Sequence, residues 1–414
     1  MKFEDYSISS EIKKNIEKLG FRRPTDIQYK AIPPILKGED VLAIAQTGTG
    51  KTAAFAIPVI HKIQKAKKER QTNGILCLVM VPTHELAIQI TDVFVSISEN
   101  TGVITTGIFG GIEQEPQIEL LQKGVDILVA TPGRMFDLVS QGHLKLQMIE
   151  TLILDEADHM LDLGFIKDIR DLIRFLPGKR QTLFFSATIN DKIKKLAYSL
   201  VTKPIRIQIS PKNPVAKNID HSVAFIEMDD KRAFLERLVD ENPESKILVF
   251  VRTKVRAERV KKAMERVEIK SNTIHSDKDQ KERTSTLNEF KNGTVKLLIA
   301  TDVSARGIDI PNVDFVVNYD LPEVPENYVH RVGRTGRGSK KGKAVSFCSS
   351  EEKEILEQIE GFLDKEISVL EIDKNDYRET LDFTKDTDYN WKKLIRENEK
   401  EMQEFQAKKK RKKK

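Results

Sequence analysis

The apolar run Val41–Ala45 leads directly into Gln46-Thr47-Gly48-Thr49-Gly50-Lys51-Thr52, and a helical pattern follows. Strand, glycine-rich loop and helix in that order make a phosphate cradle, and they commit the surrounding chain to an α/β design. Gly48 and Gly50 let backbone N–H groups turn toward phosphates, flanked by Thr47 and Thr49. Lys51 reaches the β- and γ-phosphates, and Thr52 holds Mg²⁺. Ala45 stands where the usual loop begins with glycine.

Two distant segments add to this loop. Asp155-Glu156-Ala157-Asp158 follows the apolar run Thr151–Leu154, so its acids emerge at the carboxyl end of a strand, where α/β proteins bind ligands. Asp155 is placed to bind Mg²⁺ and Glu156 to polarise a water against the γ-phosphate. Far downstream, His330-Arg331-Val332-Gly333-Arg334-Thr335-Gly336-Arg337 carries arginines three apart. That spacing predicts one helical face aimed at one polyanion, with the arginines acting in cis on the transferring phosphate; singly they would be solvated surface charge. A site assembled from such separate pieces can open and close, so the chain reads as a motor or switch.

Alternating strand and helix patterns extend this design along the chain. Strands are expected at Val41–Ala45, 75–81, 102–109, 126–130, Thr151–Leu154 and 182–185, and a second series at 247–251, Leu297–Ala300, 315–317 and 344–347. Proline-containing sequence from Pro204 to Asn218 marks the join between two domains. The expected organisation is a first domain over 1–208, a linker over 209–219, a second domain over 220–372 and an extension over 373–414. Trp391, Leu394, Ile395, Met402 and Phe405 form an apolar stripe at helical spacing in that extension.

The run from Lys408 to Lys414 holds seven positive charges, against a formal net charge of +6 for the whole chain. The body is therefore close to neutral, and any grip it has on a polyanion depends on local placement. Such a tail is either solvated, a nuclear address, or a tether for nucleic acid. No apolar run is long enough for a membrane span or a signal peptide, and two cysteines do not suggest a disulfide framework; a cytoplasmic protein is expected.

Taken together these motifs resemble the DEAD-box RNA helicases, named for the residues Asp155-Glu156-Ala157-Asp158. The likeness runs from Phe3 to about Leu370, and the compact core with a basic tail is most similar to the bacterial RhlE-like branch. The resemblance implies two tandem RecA-like domains, each a mostly parallel sheet flanked by helices, with a short C-terminal extension. It further implies an RNA-stimulated ATPase using ATP and Mg²⁺ that locally unwinds short duplexes or remodels RNA–protein complexes, with ribosome assembly or RNA turnover as settings. An ATP-dependent RNA clamp without productive unwinding would use the same residues, and a DNA translocase is the more distant alternative.

Residue by residue, the resemblance makes Phe21 the stacking partner of adenine and Gln28 the reader of its edge, with Phe3 behind them. Catalysis falls to Lys51, Asp155, Glu156, Arg334 and Arg337, and ribose binding to Asp309. Coupling of hydrolysis to RNA falls to Ser186, Thr188, Asp158 and His330. RNA contacts fall to Thr83, Gly110, Gly111, Thr131 and Arg134 in the first domain and to Arg252, Arg283 and Thr301 in the second, with Thr253 and Gln280 beside them. Glycines allow close approach, and hydroxyls and arginines suit phosphates and 2′-OH groups, so binding without base readout is expected. Two positions depart from the family pattern: His84 replaces an arginine, which weakens or makes pH-sensitive the first-domain RNA grip, and Ser276 replaces a glycine.

Overall fold

Short runs that are apolar on both faces must be covered on both sides, and in the computed structural model they pair into two parallel sheets sandwiched by helices. The structure describes residues 2–46, 48–72, 74–209, 215, 218–302, 313–336 and 341–383. The first sheet contains β1 (Val41–Ala45), β2 (Cys77–Met80), β3 (Thr105–Ile108), β4 (Ile127–Ala130), β5 (Thr151–Leu154), β6 (Gln181–Ser186) and β7 (Ile205–Ile209). The second contains β8 (Ile219–Phe225), β9 (Ile247–Phe250), β10 (Ser271–Ile274), β11 (Leu297–Ala300), β12 (Phe315–Asn318), β13 (Gly342–Cys348) and β14 (Ser368–Val369). Strand order is β3-β4-β2-β5-β6-β1-β7 in one and β10-β11-β9-β12-β13-β8-β14 in the other.

Alternation along each strand divides the core into layers. In β1, Val41, Ala43 and Ala45 join the cluster on one face, whereas Leu42 and Ile44 join the cluster on the other. In β9, Leu248 and Phe250 are separated from Ile247 and Val249 in the same way. These are two tandem RecA-like α/β domains, as the resemblance implies.

Four strands were absent from the expected set. β7 lies inside the proline-containing stretch from Pro204 to Asn218 that marks the join, and its residues are mostly exposed at the sheet edge. β8 mixes buried, half-buried and exposed positions, β10 is the polar run Ser-Asn-Thr-Ile, and β14 has only two residues. After the second sheet, the helix Lys374–Phe383 packs on the helix Lys231–Glu241. There the Tyr377 and Phe234 rings lie 4.9 Å apart, and Tyr377 Oη donates to Asp230 Oδ2 at 2.7 Å. The stripe from Trp391 to Phe405 and the basic tail lie outside the described residues, as do Thr47, Asp309 and Arg337.

Candidate nucleotide and RNA sites

Strand order sorts the motifs into two groups along the carboxyl edge of each sheet. In the first domain β5, β6 and β1 are neighbours. They deliver Asp155 and Glu156, Ser186, and the glycine-rich loop side by side. On the other half of the same edge β3, β4 and β2 are neighbours, and they deliver Gly110 and Gly111, Thr131 and Arg134, and Thr83. The second domain repeats the pattern, with β10, β11 and β9 leading to Gln280 and Arg283, Thr301, and Arg252 with Thr253. A phosphate site and an extended surface of glycines, hydroxyls and arginines thus share one edge.

In the first group, Gly50 caps the helix Lys51–Glu69 with φ 90, and a β-carbon on it would come within 2.5 Å of Gln28 Nε2. Glycine is needed here for both backbone and space. Gln28 Nε2 donates to Gly50 O at 3.1 Å, and Gln28 Oε1 accepts from Thr25 N at 3.0 Å. Half-buried Phe21 has its ring 6.4 Å from buried Phe3. Lys51 is buried, and its Nζ stands 4.0 Å from Asp155 Oδ1 with no hydrogen-bond partner among the described residues. A buried ammonium in that setting fits a polyphosphate. Thr52 is half-buried next to it.

The two acids are shifted in opposite directions. Burial pushes the Asp155 carboxyl up to about 6, opposed by the Lys51 charge. Burial would raise Glu156 as well, but the His159 hydrogen bond and the charges of Lys51 and Arg334 outweigh it and bring its carboxyl down to about 2. Glu156 is also in the left-handed region, φ 51 and ψ 48, a conformation that costs a side-chain-bearing residue on the order of 1 kcal/mol and concentrates at functional sites.

Asp158 faces the loop that follows β6. Its Oδ2 accepts from Ala187 N at 3.2 Å, Thr188 N at 3.0 Å and Thr188 Oγ1 at 3.2 Å. The coupling loop is therefore tied to the acidic loop by two amides and one hydroxyl. Ser186 does something else: its hydroxyl donates to Thr188 O at 2.8 Å and shapes the loop itself.

Across the cleft the arginine reading needs correction. The helix Pro325–Val332 ends before Arg334, with Gly333 at its C-cap, so Arg331 and Arg334 do not share a helical face. Arg331 is buried and turned inward. Its Nε lies 2.6 Å from Asp302 Oδ1 and its Nη2 donates to Asp302 Oδ2 at 2.8 Å, while Nη1 donates to Asp320 O at 2.7 Å. It holds the second domain together. Arg334 is buried, donates from Nε to His330 O at 3.2 Å, and is close enough to Glu156 to lower its carboxyl.

The groups expected to face RNA also meet. Arg283 Nη2 pairs with Glu85 Oε1 at 2.8 Å, and Gln280 Nε2 donates to the same oxygen at 3.4 Å. His84 Nδ1 donates to Gln280 Oε1 at 3.1 Å and its ring stacks on Phe109, centroids 5.7 Å apart. Gly111 has φ 76, and a β-carbon there would lie 3.2 Å from Gln280 Cβ. His84 and Glu85 thus belong to a contact between domains. Glu85 had no local sequence signal beyond adjacency to His84. Among the remaining expected contacts, Arg134 donates to Ile112 O at 2.7 Å, Thr83 caps the helix His84–Ser98, and Thr131 and Thr301 are buried. Arg252 lies 3.2 Å from Glu352 and 3.5 Å from Glu323.

With this geometry in view, residues 25–196 match the DEAD/DEAH box helicase model and residues 230–339 the helicase conserved C-terminal domain model. This chain belongs to the DEAD-box helicase family. It is 40% identical over 370 residues to the ATP-dependent RNA helicase CshA of Listeria monocytogenes, covering 89% of this chain and 70% of that protein. It is 39% identical to the ATP-dependent RNA helicase RhlB of Shewanella amazonensis, covering 90% and 86%. Among solved structures, S. cerevisiae Dbp5 bound to RNA and ADP BeF3 superposes with a TM-score of 0.81 at 30% identity, over 92% of this chain and 99% of that one. A DEAD box protein from Methanococcus jannaschii shares more sequence, 38%, over 90% of this chain and 99% of that one, yet reaches only 0.52. The protein is an RNA helicase and RNA-stimulated ATPase that couples ATP hydrolysis to unwinding or remodelling of RNA. No helix among the described residues is long and apolar enough to cross a membrane.

Proposed function

We propose that the two half-edges divide the work: β5, β6 and β1 bind and hydrolyse ATP, while the β3-β4-β2 and β10-β11-β9 edges hold one RNA strand by its backbone. The observation that supports this most is the meeting of the two domains at Glu85–Arg283 and His84–Gln280, with the Arg334 charge acting on Glu156 to lower its carboxyl. In this reading Phe21 and Gln28 receive adenine, and the loop amides with Lys51 receive the phosphates. Glu156 orients and polarises the attacking water, and Arg334, with Arg337, stabilises charge on the transferring phosphate. Asp155 and Thr52 offer hard oxygen donors suited to Mg²⁺, which takes one or two carboxylates plus substrate phosphates and would draw charge from the phosphate oxygens. Asp309 takes the ribose, and Asp158, Thr188, Ser186 and His330 link phosphate state to RNA.

Productive unwinding is favoured over a static clamp because the closed arrangement rests on small polar contacts such as Arg283–Glu85, which can be made and broken in each cycle. The domain boundaries at 208, 219 and 372 and an RhlE-like placement belong to the same proposal. So does a cytoplasmic setting, which the free, buried thiols of Cys77 and Cys348 suit. Strand release from a short RNA duplex tests it: the wild type releases a strand with ATP and Lys51→Ala does not, whereas ATP-dependent retention without release would favour the clamp. The Lys408 to Lys414 run is assigned as an RNA tether. Its deletion is expected to flatten the log affinity against log salt slope by about 2 to 3 units.

A further inference from the structure

Glu156 sits at the N-cap of a short helix, Ala157–Asp162, and the next side chains of that helix point to different partners. Asp158 holds the coupling loop. His159, one turn beyond Glu156, is 3% exposed and places Nδ1 3.4 Å from Glu156 Oε2. An ionised carboxylate only accepts hydrogen bonds, so Nδ1 carries the hydrogen and donates. The far nitrogen, Nε2, is buried without a hydrogen-bond partner among the described residues. The ring is therefore oriented at one end only, by Glu156.

We propose that His159 is a positioning residue for Glu156. A carboxylate has two equivalent oxygens and a free χ3 torsion, and only one oxygen can face a water in line with a phosphate. The Nδ1–H bond makes the oxygens unequal. It fixes Oε2 and leaves Oε1, which has no hydrogen bond among the described residues, as the oxygen for water. The left-handed backbone of Glu156 sets where the side chain starts, and His159 sets where it ends. The histidine needs no contact with ATP or water to do this. The inference rests on Glu156 as the water-orienting group.

The test compares His159→Asn, which keeps an N–H near the Nδ1 position, with the near-isosteric His159→Leu, which does not. RNA-saturated ATP turnover is read with kcat and KM separated, alone and in a Glu156→Gln background. His159→Leu should lower kcat roughly 10- to 100-fold with KM for ATP nearly unchanged, His159→Asn should recover most of it, and neither should slow Glu156→Gln further in single turnover. Wild-type kcat in His159→Leu, or an additional loss in the Glu156→Gln background, would overturn the positioning role while leaving Glu156 in place. Wild-type turnover by Glu156→Gln itself would instead remove the underlying reading of Glu156. If the leucine variant fails to fold, His159→Phe keeps the ring shape without the donor and answers the same question.

Discussion

Gln28 joins two functions in one carboxamide. It closes its own helix start through Thr25 N and steadies the glycine-rich loop through Gly50 O. Each amide end retains one further hydrogen-bonding capacity for adenine. Gln28→Ala is therefore expected to cut the kcat/KM preference for ATP over GTP by about tenfold, the worth of one hydrogen bond. Equal preference in variant and wild type would remove Gln28 from base recognition. At this scale, legibility follows chain distance. Phe21, Lys51, Asp155 and Glu156 were readable because a few neighbouring residues define their surroundings. Arg331 was not, because its partner Asp302 lies 29 residues away and only the fold decides that the two meet. His159 was legible in principle as a residue one turn after Glu156, but a lone histidine on an apolar turn is usually core.

Among elements, strands buried on both faces announced themselves. β1, β5, β9 and β11 are continuous apolar runs, and the spacing of their residues leaves no other structure of that length. β7 and β10 carry polar residues because each lies at or next to a sheet edge, so pairing partners rather than hydrophobicity define them. The second sheet also depends on a buried ion pair that no local pattern reveals. Lys231 is fully buried, donates to Tyr319 O at 2.8 Å and Phe347 O at 3.1 Å, and pairs with Glu352. Burial lowers the Lys231 ammonium and would raise the Glu352 carboxyl, but the lysine charge holds Glu352 down. Lys231→Met leaves Glu352 buried with less compensation and should destabilise the second domain by about 3–5 kcal/mol. Urea unfolding would show it, and a midpoint equal to wild type would mean the pair is neutral.

For the molecule as a whole, function depends on how two self-contained domains meet. Among the described residues, the contacts between the domains include Glu85 with Arg283 and His84 with Gln280, and the Arg334 charge acts on Glu156. Contacts of this kind are worth a modest coupling energy, enough for ligands to shift the balance. Glu85→Ala should accordingly raise the RNA concentration for half-maximal ATPase by about tenfold, with ATP affinity in the absence of RNA unchanged. An unchanged RNA requirement would show that Glu85 and Arg283 do not support closure.

The most direct test is ATP hydrolysis with and without single-stranded RNA, in the wild type and in Arg334→Ala. If the site is completed only when the domains close, RNA stimulates the wild type strongly. In that case Arg334→Ala loses hydrolysis by on the order of 10³ while still binding nucleotide through the first domain. Hydrolysis by the wild type that ignores RNA, or wild-type turnover in Arg334→Ala, would contradict a catalytic site shared between the two domains.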